Sequence, residues 1–338
     1  MQNDVALLEL RDVSKLYKVK NQNLHAVDHV SLTVQEGECL GIVGESGCGK
    51  STLARMTAGI IPVTGGKLFL DGKEYTGLKG KQKREFGRNI QMVFQDPYSS
   101  FSPRMKVGTY LTESRRNYDK IDKEQRKKEA GELLEKVGLP AEFAGRYPHE
   151  LSGGQLQRVA IARAISISPR LLICDEATGA LDVSIQNHIA RLLVDLVETE
   201  HLGCLFIGHD IALVRSVSQR IAVMYLGRIV ELVESEHLSR DAVHPYTRTL
   251  LNSIFDVYCD QNETFEGVKG EPPSPLNRPK GCAFADRCGY CTARCREEQP
   301  ELKEDRPGHA VACFQAEARN TGLASSSAAA ERKPAGEM

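Results

Sequence analysis

No apolar run in these 338 residues approaches the roughly 18 needed to cross a bilayer, so any membrane role has to come through a partner. The N-terminal string MQNDVALLELRDV lacks the basic start and apolar stretch of a secretory leader, and the expectation is a chain that stays in the cytosol. Excess charge is missing too. Lys and Arg number 44 against 45 Asp and Glu, a net charge of −1, without the basic surplus of a nucleic-acid binder. No internal repeat is visible. What remains, 41% hydrophobic and 26% charged, is an ordinary globular composition, sized for one large domain or one domain with an appendage.

The ten cysteines are unevenly placed. Cys39, Cys48, Cys174 and Cys204 sit in apolar or glycine-rich strings, where a small buried hydrophobe is the default reading. Cys282, Cys288, Cys291, Cys295 and Cys313 cluster near the end, and in a reducing compartment such a cluster suggests metal rather than disulfides. From Ala6 to about Val233, apolar strings such as CLGIVG (39–44), LLICD (171–175) and CLFIGHD (204–210) alternate with helical stretches at 120–137 and 184–200. Continuous apolar strands between helices argue for an α/β fold on a parallel sheet. The charged string 113–137 reads as exposed helix. EPPSPLNRP (271–279) reads as an extended connector and 321–338 as a disordered tail.

Gly44-Glu45-Ser46-Gly47-Cys48-Gly49-Lys50-Ser51 fits G-x-x-x-x-G-K-[ST]. It follows a strand-like run and precedes the helical TLARMTAGI beginning at Thr52, the context a phosphate loop requires. Glycines let backbone N–H groups surround phosphate oxygens, and a helix N-terminus adds its positive dipole end. Lys50 is then expected at the β and γ phosphates and the Ser51 hydroxyl on Mg²⁺. LLICD ends in Asp175, placed to hold Mg²⁺, and Glu176 follows, placed to orient or deprotonate the attacking water. Such an acidic pair is weak evidence alone and strong beside a phosphate loop.

LSGGQLQRVAIARAI (151–165) resembles the signature motif of ATP-binding cassette (ABC) proteins. Its Ser152, Gly153, Gly154 and Gln155 open a helix, a second anion-binding terminus. Other motifs of the family follow in order. Gln95 in QMVFQDP matches the glutamine loop that contacts metal and water. Ala180-Leu181-Asp182 matches the D-loop, His209 in FIGHD the switch histidine at the γ-phosphate, and Tyr17 in SKLYKV the aromatic residue that stacks on adenine. The resemblance covers residues 5 to about 235. It implies a P-loop NTPase core with a mainly parallel sheet, an antiparallel β subdomain and a helical signature subdomain at about 96–165. It also implies that the phosphate loop of one subunit faces LSGGQ of a second, identical or homologous, with ATP between.

FQDPYSSFSPRMKVG (94–108), LDVSIQ (181–186), HPYTRTLLNSI (244–254) and the cysteine-rich segment from Gly281 resemble the peptide, dipeptide and nickel importer ATPases. In that branch a C-terminal extension, here 236–320, carries four cysteines at the spacing of Cys282, Cys288, Cys295 and Cys313. The resemblance implies a [4Fe–4S] cluster, with zinc, unmetallated thiols or plain packing as alternatives. It further implies two transmembrane permeases, an extracytoplasmic binding protein, a place on the cytoplasmic membrane face and peptide as cargo, with nickel or another small solute as the alternative. A soluble ABC protein acting on ribosomes or DNA is disfavoured, since those carry two cassettes or a coiled-coil insertion. An exporter ATPase usually lacks the cysteine extension. Three departures from the pattern stand out: Ala177 where proline is usual, Gly179 where serine precedes ALD, and Gly208 where the switch has serine or threonine.

Overall fold

The computed structural model describes residues 5–179, 181–252, 273–276 and 278–316. The expected tail 321–338, Ala180 of the D-loop and part of the connector 271–279 lie outside the described residues. The chain begins with β1 (Leu8–Val19), β2 (Gln22–Val34), β3 (Cys39–Val43), α1 (Lys50–Thr57), β4 (Gly65–Leu70) and β5 (Lys73–Glu74). Next come α2 (Gly80–Asn89), β6 (Ile90–Val93), α3 (Pro97–Ser100), α4 (Val107–Asp119), α5 (Lys123–Lys136) and α6 (Gly153–Ile165). Then follow β7 (Leu171–Asp175), α7 (Val183–Glu200), β8 (Gly203–Ile207), α8 (Ile211–Val217), β9 (Arg220–Tyr225) and β10 (Arg228–Glu234). The C-terminal part contributes α9 (Leu238–Asp241), α10 (Pro245–Asn252), α11 (Ala293–Glu297), β11 (Lys303–Arg306) and β12 (His309–Val311).

The larger sheet runs β11-β12-β10-β9-β3-β8-β7-β6. Its β9, β3, β8, β7 and β6 are mutually parallel, while β10, β12 and β11 pair antiparallel at one edge. Every residue of β3, β7 and β8 is buried, which is why these strands read as unbroken apolar runs rather than alternating ones. Their side chains split by the period of two. Leu171 and Ile173 face a core shared with α1 and the antiparallel sheet β2-β1-β4-β5. Leu172 and Cys174 face the core on the other side, shared with α4 to α8.

The charged string 113–137 is two helices, not one. Lys120 takes a left-handed conformation (φ 56°) after α4, and the Asp122 carboxylate caps α5 by accepting the Gln125 N–H at 2.9 Å. The two are tied by Arg115, which pairs with Asp119 on its own helix and Glu129 on α5. The C-terminal segment is built into the main sheet, where β12 pairs with β10 through Glu231↔Val311 and Leu232↔Ala310. No helix among the described residues is long and apolar enough to cross a membrane.

Candidate active site

The phosphate loop turns out of β3 into α1. Gly49 precedes α1 at φ 110°, and a Cβ there would lie 2.1 Å from the Ala26 carbonyl oxygen. Gly44 is equally close to the Met224 carbonyl, where a Cβ would also lie at 2.1 Å. The loop therefore threads between β2 and β9 with no room for side chains at these positions. Lys50 is buried, 4% exposed, and a buried ammonium requires partners. Its Nζ donates to the Gly44 carbonyl at 2.7 Å and the Glu45 carbonyl at 3.0 Å.

Ser51 Oγ donates to Asp175 Oδ1 at 2.8 Å, joining the start of α1 to the end of β7. Burial raises the Asp175 pKa; the Ser51 bond and nearby Arg55 oppose the shift but do not cancel it. Glu176 follows at φ 49°, a left-handed backbone that costs a non-glycine residue of order 1 kcal/mol and clusters at functional sites. Hydrogen bonds from its N–H to the Ile207 carbonyl (2.9 Å) and from the Gly179 N–H to its own carbonyl (3.0 Å) hold that turn. A methyl on Gly179 would lie 3.5 Å from His209 Cε1 and 3.8 Å from Gln95 Nε2. Gln95 after β6, Glu176 after β7 and His209 after β8 thus meet at the carboxyl ends of three adjacent parallel strands, where open α/β sheets hold their ligands. Gln95 and His209 are exposed, so the site is an open surface.

Ser152 caps α6 in a reciprocal box with Gln155: its N–H donates to Gln155 Oε1 at 3.0 Å, and its hydroxyl accepts the Gln155 N–H at 3.4 Å. Gly154 packs on Ile185 of α7, where a Cβ would lie 2.6 Å from Cγ2, and Gly153 sits beside Leu181. Among the described residues no hydrogen bond joins Ser152–Gln155 to the phosphate loop. Tyr17 is 38% exposed on β1, with Lys15 Nζ 5.1 Å from its ring centroid.

Cys282, Cys288, Cys295 and Cys313 line one cavity of about 20 Å³, room for about one water. Cys291 is absent from its lining. Burial pushes the Cys282 thiol up to about 12 and raises Cys288 and Cys313 as well, the desolvation cost of a thiolate with no cation beside it. Among the described residues no group of three or more His, Cys, Asp or Glu is arranged to hold a metal ion. As placed, the four thiols converge without forming a ligand set.

Sequence reasoning missed Arg287 and Tyr246. The Glu45 carboxylate receives two bonds from Arg287, both 2.9 Å, and the Glu45 N–H donates to Tyr246 Oη at 2.8 Å. Glu45 and Arg287 are 242 positions apart, and no local spacing signals such a pair.

A profile for the ABC transporter family matches residues 27–179, and one for the oligopeptide/dipeptide transporter C-terminal region matches residues 230–295. The oligopeptide transport ATP-binding protein AppF of Bacillus subtilis is 43% identical, covering 92% of this chain and 98% of AppF. OppF of Salmonella typhimurium, also an oligopeptide transport ATP-binding protein, is 42% identical over 91% of this chain and 96% of its own. Among solved structures, a dimeric ATP-binding cassette bound to ADP and phosphate in a post-hydrolysis state superposes with a TM-score of 0.61 at 31% identity, over 68% of this chain and 98% of that one. A Clostridium perfringens subunit of the cbiONQ ABC transporter complex gives 0.63 at 26% identity, over 70% and 91%.

Proposed function

The chain belongs to the ATP-binding subunits of ABC transporters, in the oligopeptide/dipeptide branch, and from that premise we propose that its ATPase activity drives peptide import. The observation that carries the catalytic reading is the convergence of Ser51, Asp175, Glu176, Gln95 and His209 on one face beside Lys50. Lys50 exchanges its carbonyl partners for β- and γ-phosphate oxygens. Ser51, Asp175 and Gln95 would hold Mg²⁺, which would neutralise charge building on the phosphates. Glu176 takes the proton of a water whose oxygen attacks the γ-phosphorus as the bond to ADP breaks, and His209 steadies the γ-phosphate. Tyr17 stacks on adenine, and the loop from Gly44 through Thr52 wraps the phosphates.

The Ser152–Gln155 terminus, exposed at its serine and separate from the phosphate loop, serves the ATP bound by a second ATPase subunit, identical or homologous. This reading is supported by the dimeric neighbour. Two permeases and an extracytoplasmic binding protein complete the importer, with this chain peripheral on the cytoplasmic face. The names of the relatives favour peptide over nickel. Domain limits of 5–235 and 236–320 suit this division of labour. The test is Glu176→Gln in the assembled complex: steady-state ATP hydrolysis falls at least about 100-fold and peptide uptake stops. Hydrolysis near wild type would remove Glu176 from its role.

Cys282, Cys288, Cys295 and Cys313 are the ligand set that the family resemblance implies for a [4Fe–4S] cluster, with zinc as the alternative, and their cavity of about 20 Å³ has to widen to hold the cluster. No catalytic step runs through them. Stoichiometric iron and sulfide in anaerobically purified protein establishes the cluster, while zinc alone, or no metal, excludes it.

A further inference from the structure

The C-terminal extension grips the nucleotide cradle at two points. Arg287, its side chain 6% exposed, forks onto both oxygens of the Glu45 carboxylate and donates to Tyr225 Oη at 3.2 Å. Tyr246, fully buried, accepts the Glu45 N–H while its ring packs on Tyr225 and Phe284. Backbone and side chain of the second phosphate-loop residue are thus both held by the extension. At the second point Arg278 donates to Asp28 at 2.5 Å and to the Leu226 carbonyl. The Leu226–Gly227 turn supports the loop from behind: the Gly227 N–H donates to the Cys48 carbonyl at 2.7 Å, and its carbonyl accepts the Asp28 N–H at 2.8 Å.

Structural glue alone would serve anywhere along the loop, yet the contacts of Arg287 and Tyr246 converge on one residue with two liabilities. The Glu45 carbonyl is a resting partner of Lys50 Nζ, the group that has to meet phosphate. Its carboxylate, left bare, would place a negative charge beside a site for a polyanion, and in a partly desolvated setting such repulsion is large. The bidentate guanidinium cancels that charge and fixes the carboxylate in one orientation.

We propose that Arg287 and Tyr246 are positioning residues of the phosphate loop, through which the extension sets nucleotide affinity. This rests on the ATP site proposed above. Coupling is reciprocal by linkage, so bound ATP stabilises the extension in turn. Affinity of the full-length chain for ATP, read by displacement of a fluorescent ATP analogue, tests it. Wild-type binding checks the ATP site itself; the variants check the clamp. Arg287→Ala weakens ATP about tenfold, the size of one charge-assisted bond. Glu45→Gln combined with Arg287→Ala restores most of that loss, since the bare carboxylate is gone; a merely structural arginine would give no such rescue. If Arg287→Ala does not fold, Arg287→Lys, which keeps the charge and loses the fork, is read the same way and weakens ATP about threefold. Tyr246→Phe preserves the ring packing and also lowers affinity. Amide exchange across 282–296 slows on adding ATP to wild type. Unchanged affinity in the arginine variants, a loss that Glu45→Gln does not rescue, or exchange indifferent to ATP each overturns the proposal.

Discussion

A side chain at position 208 would collide with α8, since a Cβ there would lie 2.7 Å from Val214 Cγ2. The departure from serine or threonine in the switch is therefore a packing requirement of this chain, and His209 is aimed from a glycine because Val214 fills the space. Gly179 is different. Its nearest neighbours to a Cβ are at ordinary contact, 3.5 Å or more, so the lost hydroxyl reflects no steric demand. Ala177 is buried, and nothing in the structure explains why it is not proline. Asp28 shows a charge set by its partners. Burial alone would raise its pKa, but Arg278 and Arg228 outweigh that and hold it below the usual carboxylate value. A carboxylate depressed in the folded state adds stability that is present above its unfolded pKa and is lost as pH falls through the folded one. Asp28→Asn is therefore expected to destabilise the protein by about 2 kcal/mol at neutral pH. Measured by urea unfolding, its deficit against wild type closes between about pH 5 and about pH 2. A deficit independent of pH would mean the carboxylate charge is not what Arg278 and Arg228 hold.

At the scale of elements, legibility followed burial. β3, β7 and β8 were visible in the sequence because both of their faces are buried, leaving no polar alternation to hide them. The phosphate loop and the α6 cap were visible because their chemistry is local: glycine at φ 110°, and a serine and glutamine three residues apart. The break between α4 and α5 was not, because a string dense in Lys, Arg and Glu has no apolar period to interrupt. Its stop is written only in the Asp122 cap. β11 and β12 were missed for a related reason. KEDR is mostly exposed and HAV is three residues long, so pairing with β10, rather than propensity, makes them strands. The candidate site residues Lys50, Asp175, Glu176, Gln95 and His209 were each proposed from motifs. The meeting of Gln95, Glu176 and His209 around Gly179 depends on strand order, which places β6, β7 and β8 side by side.

For the molecule as a whole, the extension looks like an appendage in sequence and behaves as a structural part of the cassette. Glu231 of β10 is fully buried, and the groups that satisfy its carboxylate come from beyond β10. The N–H groups of Val243 (2.7 Å) and His244 (3.2 Å) donate to it, and His309 Nε2 lies 2.8 Å away. β12 covers the side of β10 away from β9, with the Ala312 N–H donating to the Val230 carbonyl at 2.8 Å. Ending the chain after Ser235 would remove all of these at once, together with Arg278 and Arg287 on the nucleotide cradle. Losing a buried aromatic side chain such as Tyr246 by itself costs about 3–5 kcal/mol, a large share of the stability a domain has. The truncated chain is expected to be largely insoluble or to melt far below wild type, and to bind ATP weakly where it folds. Glu45→Gln in the truncated chain should recover part of the ATP affinity, because the unclamped carboxylate is gone, but none of the thermal stability. Thermal melts and ATP titrations on the two truncated proteins separate these effects. A truncated chain with wild-type melting temperature and affinity would show that the cassette stands without its extension.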